Sequence, residues 1–316
     1  MNALEYSDIS LIPNYSELAT RSYADTSVEF GGRRFALPVI PANMVTTIGD
    51  EWVDYLAKNN YFYIMHRFGD SSVRNHMFTR DVCRGLPYAS CSVGVGNESQ
   101  EWLELLSRER KPDYVTIDVA HGHHLLVKQM IKFVRKTCPK AFIIAGNIAT
   151  VQAAENLTEW GADAIKCGIG PGKVCTSFLE TGFHTPMFST LLEVCKSSPL
   201  PVIADGGIRH NGDIAKALVA GATMVMAGSI FANCSDSPAP INKHGKKEYW
   251  GSASFAQKGE RNHVEGTKIE MELNPLTLVE KLKEIKQSLQ SAISYAGGSD
   301  LSAFNSVKWT AATASN

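Results

Sequence analysis

The chain has 316 residues, 44% of them hydrophobic and 20% charged, with 31 Lys plus Arg against 32 Asp plus Glu. That is enough for a globular core, and the net charge of −1 argues against a chain-wide nucleic-acid or membrane footprint while leaving a local basic pocket open. No apolar run approaches the roughly 18 residues of a spanning helix. The start MNALEYSDIS has neither the basic nor the apolar stretch of a secretory leader, and seven cysteines without a CxxC pair read as reduced thiols. The expectation from these features is a cytoplasmic α/β enzyme.

Short β-rich apolar runs alternate with helical patterns along the chain. The expected strands begin with PVIPANM from Pro38, YFYIMHR from Tyr61 and ASCSVGV from Ala89. A capped helical pattern opens at Asn97 and Ser99 and carries Trp102, Leu103, Leu105 and Leu106. YVTIDVA from Tyr114 follows, then a stripe of Leu125, Leu126, Met130, Ile131 and Val134 between lysines. FIIAGNI from Phe142, AIKCGIG from Ala164, PVIADGG from Pro201 and MVMAGSI from Met224 complete the set, and a long helix from Asn274 to about Tyr295 closes the chain.

Most strand starts lie roughly 22 to 28 residues apart, the length of a strand, a helix and two tight loops. Runs this continuously apolar suit parallel strands covered on both faces. Eight such units match a (β/α)8 barrel, one domain over residues 1–316, with a doubly wound sheet as the rival. Two intervals break the rhythm: GPGKVCTSFLETGFHT after the sixth strand, and a polar stretch from Ala232 to Leu273 after the eighth. In a barrel both insertions reach the C-terminal face, where active sites sit.

CGIGPGKVCTS superficially resembles a phosphate loop. Cys167 stands where the opening glycine belongs, and Val174 follows Lys173 where Ser or Thr is required. The spacing also fails the dinucleotide pattern. A better reading is a tightly wound backbone that turns its carbonyls inward and presents Cys175 at the barrel mouth. Cysteine suits a nucleophile, since its ordinary pKa leaves some thiolate at neutral pH; a purely structural cysteine is the alternative. Cys83, Cys91, Cys138, Cys167, Cys195 and Cys234 read as core or surface thiols.

ADGGI and AGSIF end the seventh and eighth strands, the usual phosphate site of a barrel. Gly206, Gly207, Gly228 and Ser229 let backbone N–H groups approach a phosphate, and Asp205 can accept from ribose hydroxyls. HGHH at His121–His124 lacks a convincing set of further metal ligands; Asp118 and His121 read instead as ligand-orienting groups. KHGKKEYW, with Lys243, Lys246 and Lys247, reads as a solvated loop. Glu265, beside Gly266, is a carboxylate flanked by glycine in the last insertion.

Together GIGPGKVCTS, IADGGIRHNGDIAKAL, MVMAGSIFA and SAISYAGG, with DISLIP, PANM, MHRF and IDVAHGH, resemble the IMP dehydrogenase and GMP reductase family from about Tyr6 to Leu301. Dehydrogenases of that family usually carry paired CBS modules after an early barrel unit, and the direct run from Cys91 to Tyr114 leaves no room for them. Their flap also carries an Arg-Tyr pair, absent from FAQKGERNHV between Ser254 and Glu265. The short, undivided form resembles the reductase branch, in its bacterial type.

That resemblance implies conversion of GMP and NADPH to IMP, ammonia and NADP through a thioimidate on Cys175, with Ser177 and Glu265 handling protons. It also implies that Asp205, Gly206, Gly207, Gly228 and Ser229 hold ribose and phosphate. Met44, Gly251, Ser252, Ala253 and Gly266 would lie along the base, and His66, Asp118, Val119 and Ala120 would face the cofactor. Carbonyls of Gly170, Gly172 and Cys175 match the family's monovalent-cation site, for which potassium is the implied ion. Members are usually tetramers, and Arg21, Ser22 and Tyr295 would serve a neighbour's cofactor site.

The chain departs from the family at Ser177, where Thr is usual, at Phe178, often basic, and through FLETGFHTPMF. Three other readings stay open: a dehydrogenase-like enzyme using NAD and water, a purine-nucleotide sensor without turnover, and a flavin enzyme sharing the phosphate handle.

Overall fold

The computed structural model describes residues 3–68 and 85–311. Its centre is a seven-stranded parallel sheet of β1 (Val39–Pro41), β2 (Ser90–Val93), β3 (Tyr114–Asp118), β4 (Phe142–Ile148), β5 (Ala164–Cys167), β6 (Val202–Asp205) and β7 (Met224–Ala227). The hydrogen-bonded order is β1-β7-β6-β5-β4-β3-β2. Neighbours in sequence are neighbours in space, and β1 pairs with β7 through Val39↔Val225. First and last strands meet in this way when a sheet curls round on itself; a doubly wound sheet keeps them apart.

YFYIM, the remaining expected strand, joins the edge of the sheet at β2 through a single bridge. Met65 bridges Cys91 in parallel, Ser92 N–H donates to Met65 O at 3.0 Å, and Ala36 N–H donates to Asn60 O at 2.7 Å. The fold is the (β/α)8 barrel expected from the spacing.

Strand residues face the lumen on one side and helices on the other, so Ile143, Ile144, Ile165, Ile203 and Val225 are all fully buried. Each such aliphatic side chain contributes about 1.5–3 kcal/mol on leaving water. The outer layer comprises α1 (Asp50–Lys58), α2 (Asn97–Glu109), α3 (Leu125–Thr137), α4 (Val151–Trp160), then α5 (Ser177–Thr181) in the loop after β5, α6 (Met187–Ser197), α7 (Asn211–Val219) and the short α8 (Ser229–Ala232). The loop after β7 adds the antiparallel hairpin of β8 (Lys247–Trp250) and β9 (Lys268–Met271), with α9 (Phe255–Lys258) between them. The closing helix α10 (Leu278–Tyr295) packs on α7. It starts later than Asn274 because Thr277 caps it, accepting from Glu280 N–H while Glu280 accepts from Thr277 N–H.

The N-terminal mouth is plugged by aromatic rings of Phe30, Phe35, Phe62, Tyr88, Tyr114 and Phe142, with Phe62 and Tyr114 centroids 4.9 Å apart. Apolar packing closes this end, so polar strand termini gather at the other.

One sequence expectation needs correction. Lys247 is not in a solvated loop: it lies on β8, 2% exposed, and donates to Ser237 O and Ala239 O at 3.0 Å each. HGHH is chiefly structural, since His124 Nδ1 accepts from Leu126 N–H to cap α3, and His123 pairs with Asn156 at 2.8 Å. Cys83 lies outside the described residues. Cys91, Cys138, Cys167 and Cys234 are buried and Cys195 is partly so.

Candidate active site

At the C-terminal mouth, the chain leaves β5 at Cys167 and winds through Gly168, Gly170 and Gly172 to Cys175. Cys175 N–H donates to Gly172 O at 3.0 Å, so the loop turns sharply just before the thiol. The end of the β8–β9 insertion then lies against this loop as a short strand. Thr176 N–H donates to Glu265 O, Thr267 N–H donates to Val174 O, and Cys175 and Gly266 form an antiparallel bridge. Two loops that are distant in sequence therefore share one backbone ladder.

That ladder sets the side chains. Ser177 Oγ donates to Glu265 Oε2 at 2.7 Å, and Cys175 Sγ lies 3.3 Å from Ser177 Oγ. Thiol, hydroxyl and carboxylate form a continuous hydrogen-bonded run. Such a run can move a proton between sulfur and a leaving group.

The run opens into a cleft of about 900 Å³ lined by Met44, Asp205, Gly206, Gly207, Gly228, Ser229, Gly251, Ser252 and Ala253. Gly206 has φ +94°, and a Cβ there would sit 2.9 Å from Pro171 Cγ, so only glycine fits. Its backbone is thereby free to face the cleft floor.

A second cleft of about 1130 Å³ adjoins the first and shares Ala42, Met44, Ala120, Asn147, Asp205, Ser252 and Ala253 with it. Asp118 and Val119 line this second space together with Arg67, Phe68 and Lys258. His66 stands beside those residues without lining it, and exposed His121 lines neither cleft. Arg21, Ser22 and Tyr295 lie elsewhere on the surface, with the Arg21 guanidinium 5.3 Å from the Tyr295 ring centre. Gly266 contributes backbone pairing to Cys175 and Ser254.

The second cleft is also lined by Lys166, which the sequence reading passed over as part of a strand. Its ammonium is 2.8 Å from Asp118 Oδ1 and 2.6 Å from Asp205 Oδ2, and the side chain is 3% exposed. Asn43 donates to Asp118 Oδ2 and Asn147 to Asp205 Oδ2, each at 2.8 Å. Burial alone would lower the Lys166 pKa, but Asp118 and Asp205 outweigh it and hold the ammonium above the ordinary lysine value. Burial likewise opposes charge on Asp118, and Lys166 overcomes it, keeping the carboxyl below its usual value. A lone lysine inside the apolar run AIKC was the available signal, because a buried charge needs partners. Tyr249, also missed, is buried against the turn at Gly228, where a Cβ would collide with its hydroxyl.

Residues 3–316 match the IMP dehydrogenase / GMP reductase domain. The chain belongs to the IMP dehydrogenase/GMP reductase family. Its relatives include proteins named GMP reductase from Bacillus licheniformis, 49% identical, and from Shouchella clausii, 50% identical, each alignment covering 98% of this chain and 95% of the relative. Another, from Oenococcus oeni, is 48% identical over 98% of this chain and 97% of its own length. Within this family member, the two expected insertions are the segments that build the Cys175–Ser177–Glu265 run.

Proposed function

We propose that the chain is a GMP reductase that converts GMP to IMP and ammonia with NADPH as reductant. The observation that carries this reading is the hydrogen-bonded run from Cys175 through Ser177 to Glu265, opening onto a cleft with glycine turns at its phosphate end. The relatives named GMP reductase, aligned over nearly the whole chain, support it.

The chemistry follows in two stages. The Cys175 thiol gives its proton through Ser177 toward Glu265, and Sγ bonds to C2 of the guanine. The same proton returns to the amino nitrogen, the C2–N bond breaks, and ammonia leaves a thioimidate on Cys175. Without that proton the amino group would be a poor leaving group. Asp118, Val119 and Ala120 would hold NADPH in the second cleft, and the bound nicotinamide would supply the hydride for C2. The C2–S bond then breaks, the sulfur regains a proton from water, and IMP is released. Forming the covalent intermediate divides a difficult displacement into easier additions and eliminations.

Asp205 directs Oδ2 to Lys166 and Asn147, which leaves Oδ1 for the ribose hydroxyls. Backbone N–H groups at Gly206, Gly207, Gly228 and Ser229 serve the phosphate. Met44, Gly251, Ser252 and Ala253 wall the base, and Asp118, Val119 and Ala120 face the nicotinamide, with His66 flanking that cleft. The carbonyls of Gly170, Gly172 and Cys175 suit a monovalent cation: Gly172 O accepts one hydrogen bond, from Cys175 N–H, and retains a second lone pair. A cation there would order the loop carrying the thiol. In a tetramer of the kind the family resemblance implies, the exposed Arg21, Ser22 and Tyr295 would complete a neighbour's cofactor cleft.

The test is GMP-dependent loss of NADPH absorbance with IMP and ammonia quantified, beside light scattering for subunit number. Stoichiometric IMP, ammonia and NADPH loss support the reading. GMP binding without turnover overturns it.

A further inference from the structure

The segment after Cys175 that departs from the family carries His184, and its imidazole has an unusual setting. Its Nε2 is 2.9 Å from Glu5 Oε1, on the N-terminal segment 179 positions away. Its Nδ1 is buried and has no hydrogen-bond partner among the described residues. The ring therefore takes its orientation from Glu5, with Nε2 as the donor.

On one side that ring packs on Gly170, which has φ +89° and where a Cβ would sit 2.6 Å from His184 Nδ1. On the other it meets the Phe178 ring edge-on, with centroids 5.8 Å apart. His184 thus touches the backbone before Cys175 and the helix after it. Glu5 Oε2 also accepts from Met187 N–H at 3.0 Å, and Leu4 and Ser189 exchange two hydrogen bonds, so the N-terminal segment is fixed to the start of α6.

We propose that Glu5 and His184 form a latch that positions the Gly170–Cys175 turn for attack, with both acting as positioning residues. The latch approaches the nucleotide cleft through Gly170, whereas no residue between Gly168 and Met187 lines the cofactor cleft. Its effect on turnover rests on the reductase reading. Its effect on the thiol does not.

The experiment compares His184→Ala, His184→Phe, Glu5→Ala, Glu5→Gln and the Glu5→Ala/His184→Ala double variant. It reads kcat, KM for NADPH and the rate of Cys175 carbamidomethylation, the last by peptide mass. A misplaced nucleophile costs roughly tenfold or more in kcat. That loss is expected for both Ala variants and for His184→Phe, with KM for NADPH within about twofold. Glu5→Gln, which keeps an acceptor for His184, restores most of the rate. The double variant is no worse than either single, as residues acting as one unit require. Cys175 alkylation shifts several-fold in the same variants and not in Glu5→Gln. If His184→Phe has wild-type kcat and alkylation, ring packing suffices and the latch is overturned. Additive losses, or an equal rise in KM for NADPH, overturn it as well. Should the wild-type protein not reduce GMP, the reductase reading fails and the alkylation series alone decides the latch.

Discussion

The hydroxyl of Ser177 lies 2.7 Å from Glu265 Oε2, although the residues are 88 positions apart. The contact exists because the insertion after β7 pairs its backbone with the cysteine loop, through Thr176 N–H to Glu265 O and Thr267 N–H to Val174 O. The proposed proton path and the loop architecture thus rest on the same backbone pairing. The Ser177 Oγ alone makes both contacts, to Cys175 Sγ and to Glu265 Oε2.

Ser177→Ala should lower kcat by about 10²–10⁴-fold, the range for losing a positioned proton carrier. Ser177→Thr should stay within a few-fold of wild type, since it keeps the oxygen and only restricts χ1. Steady-state NADPH oxidation with both variants checks this. Equal kcat for Ala and wild type would remove Ser177 from the mechanism.

Lys166→Met should cost about 3–5 kcal/mol in urea unfolding, because Asp118 and Asp205 lose their shared buried counter-charge. The pH dependence has two limbs. Asp118 has a lowered folded pKa, so its contribution is present above the ordinary carboxylate value and fades as acid protonates it. Lys166 has a raised folded pKa, so its contribution is complete below the ordinary lysine value and fades in strong alkali. The wild-type advantage should therefore be flat across neutral pH and shrink toward acid. A stability difference independent of pH down to strong acid would contradict the pairing.

Alkylation near neutral pH should be selective for Cys175 among the cysteines with described surroundings. Burial pushes the thiols of Cys195 and Cys234 up to about 12, and raises Cys167 and Cys138 as well. Cys91 is buried as well. Peptide mapping after limited iodoacetamide treatment should find Cys175 modified ahead of these five, and GMP should protect it.

Gly206→Ala should weaken GMP binding by roughly tenfold or more while leaving NADPH binding nearly unchanged. A Cβ meets Pro171 at 2.9 Å and the φ of +94° is strained for alanine, a cost of order 1–3 kcal/mol. Titration of each nucleotide separately measures the split.

The barrel was legible because alternating apolar runs and helical stripes are local signals. Even the segment from Tyr61, which forms only a bridge at Met65, announced itself by composition. The nucleophile loop and the glycine turns were legible for the same reason, since tight turns and close backbone approach require glycine. Lys166 was visible as an odd residue in AIKC, but its partners Asp118 and Asp205 come from different strands, and only closure of the sheet brings them together. Lys247 misled because a lysine-rich stretch looks solvated; its carbonyl partners, Ser237 and Ala239, belong to a turn with no sequence pattern. The Glu5–His184 contact was beyond reach, since nothing local ties an N-terminal carboxylate to a loop beyond β5.

The most direct test of the central claim is NADPH absorbance with purified protein and GMP, comparing wild type with Cys175→Ala, while IMP and ammonia are quantified. The account expects wild type to consume NADPH in step with both products, and Cys175→Ala to bind GMP without turnover. NADPH loss that persists in Cys175→Ala, or a folded, GMP-binding wild type that releases no ammonia, would contradict it.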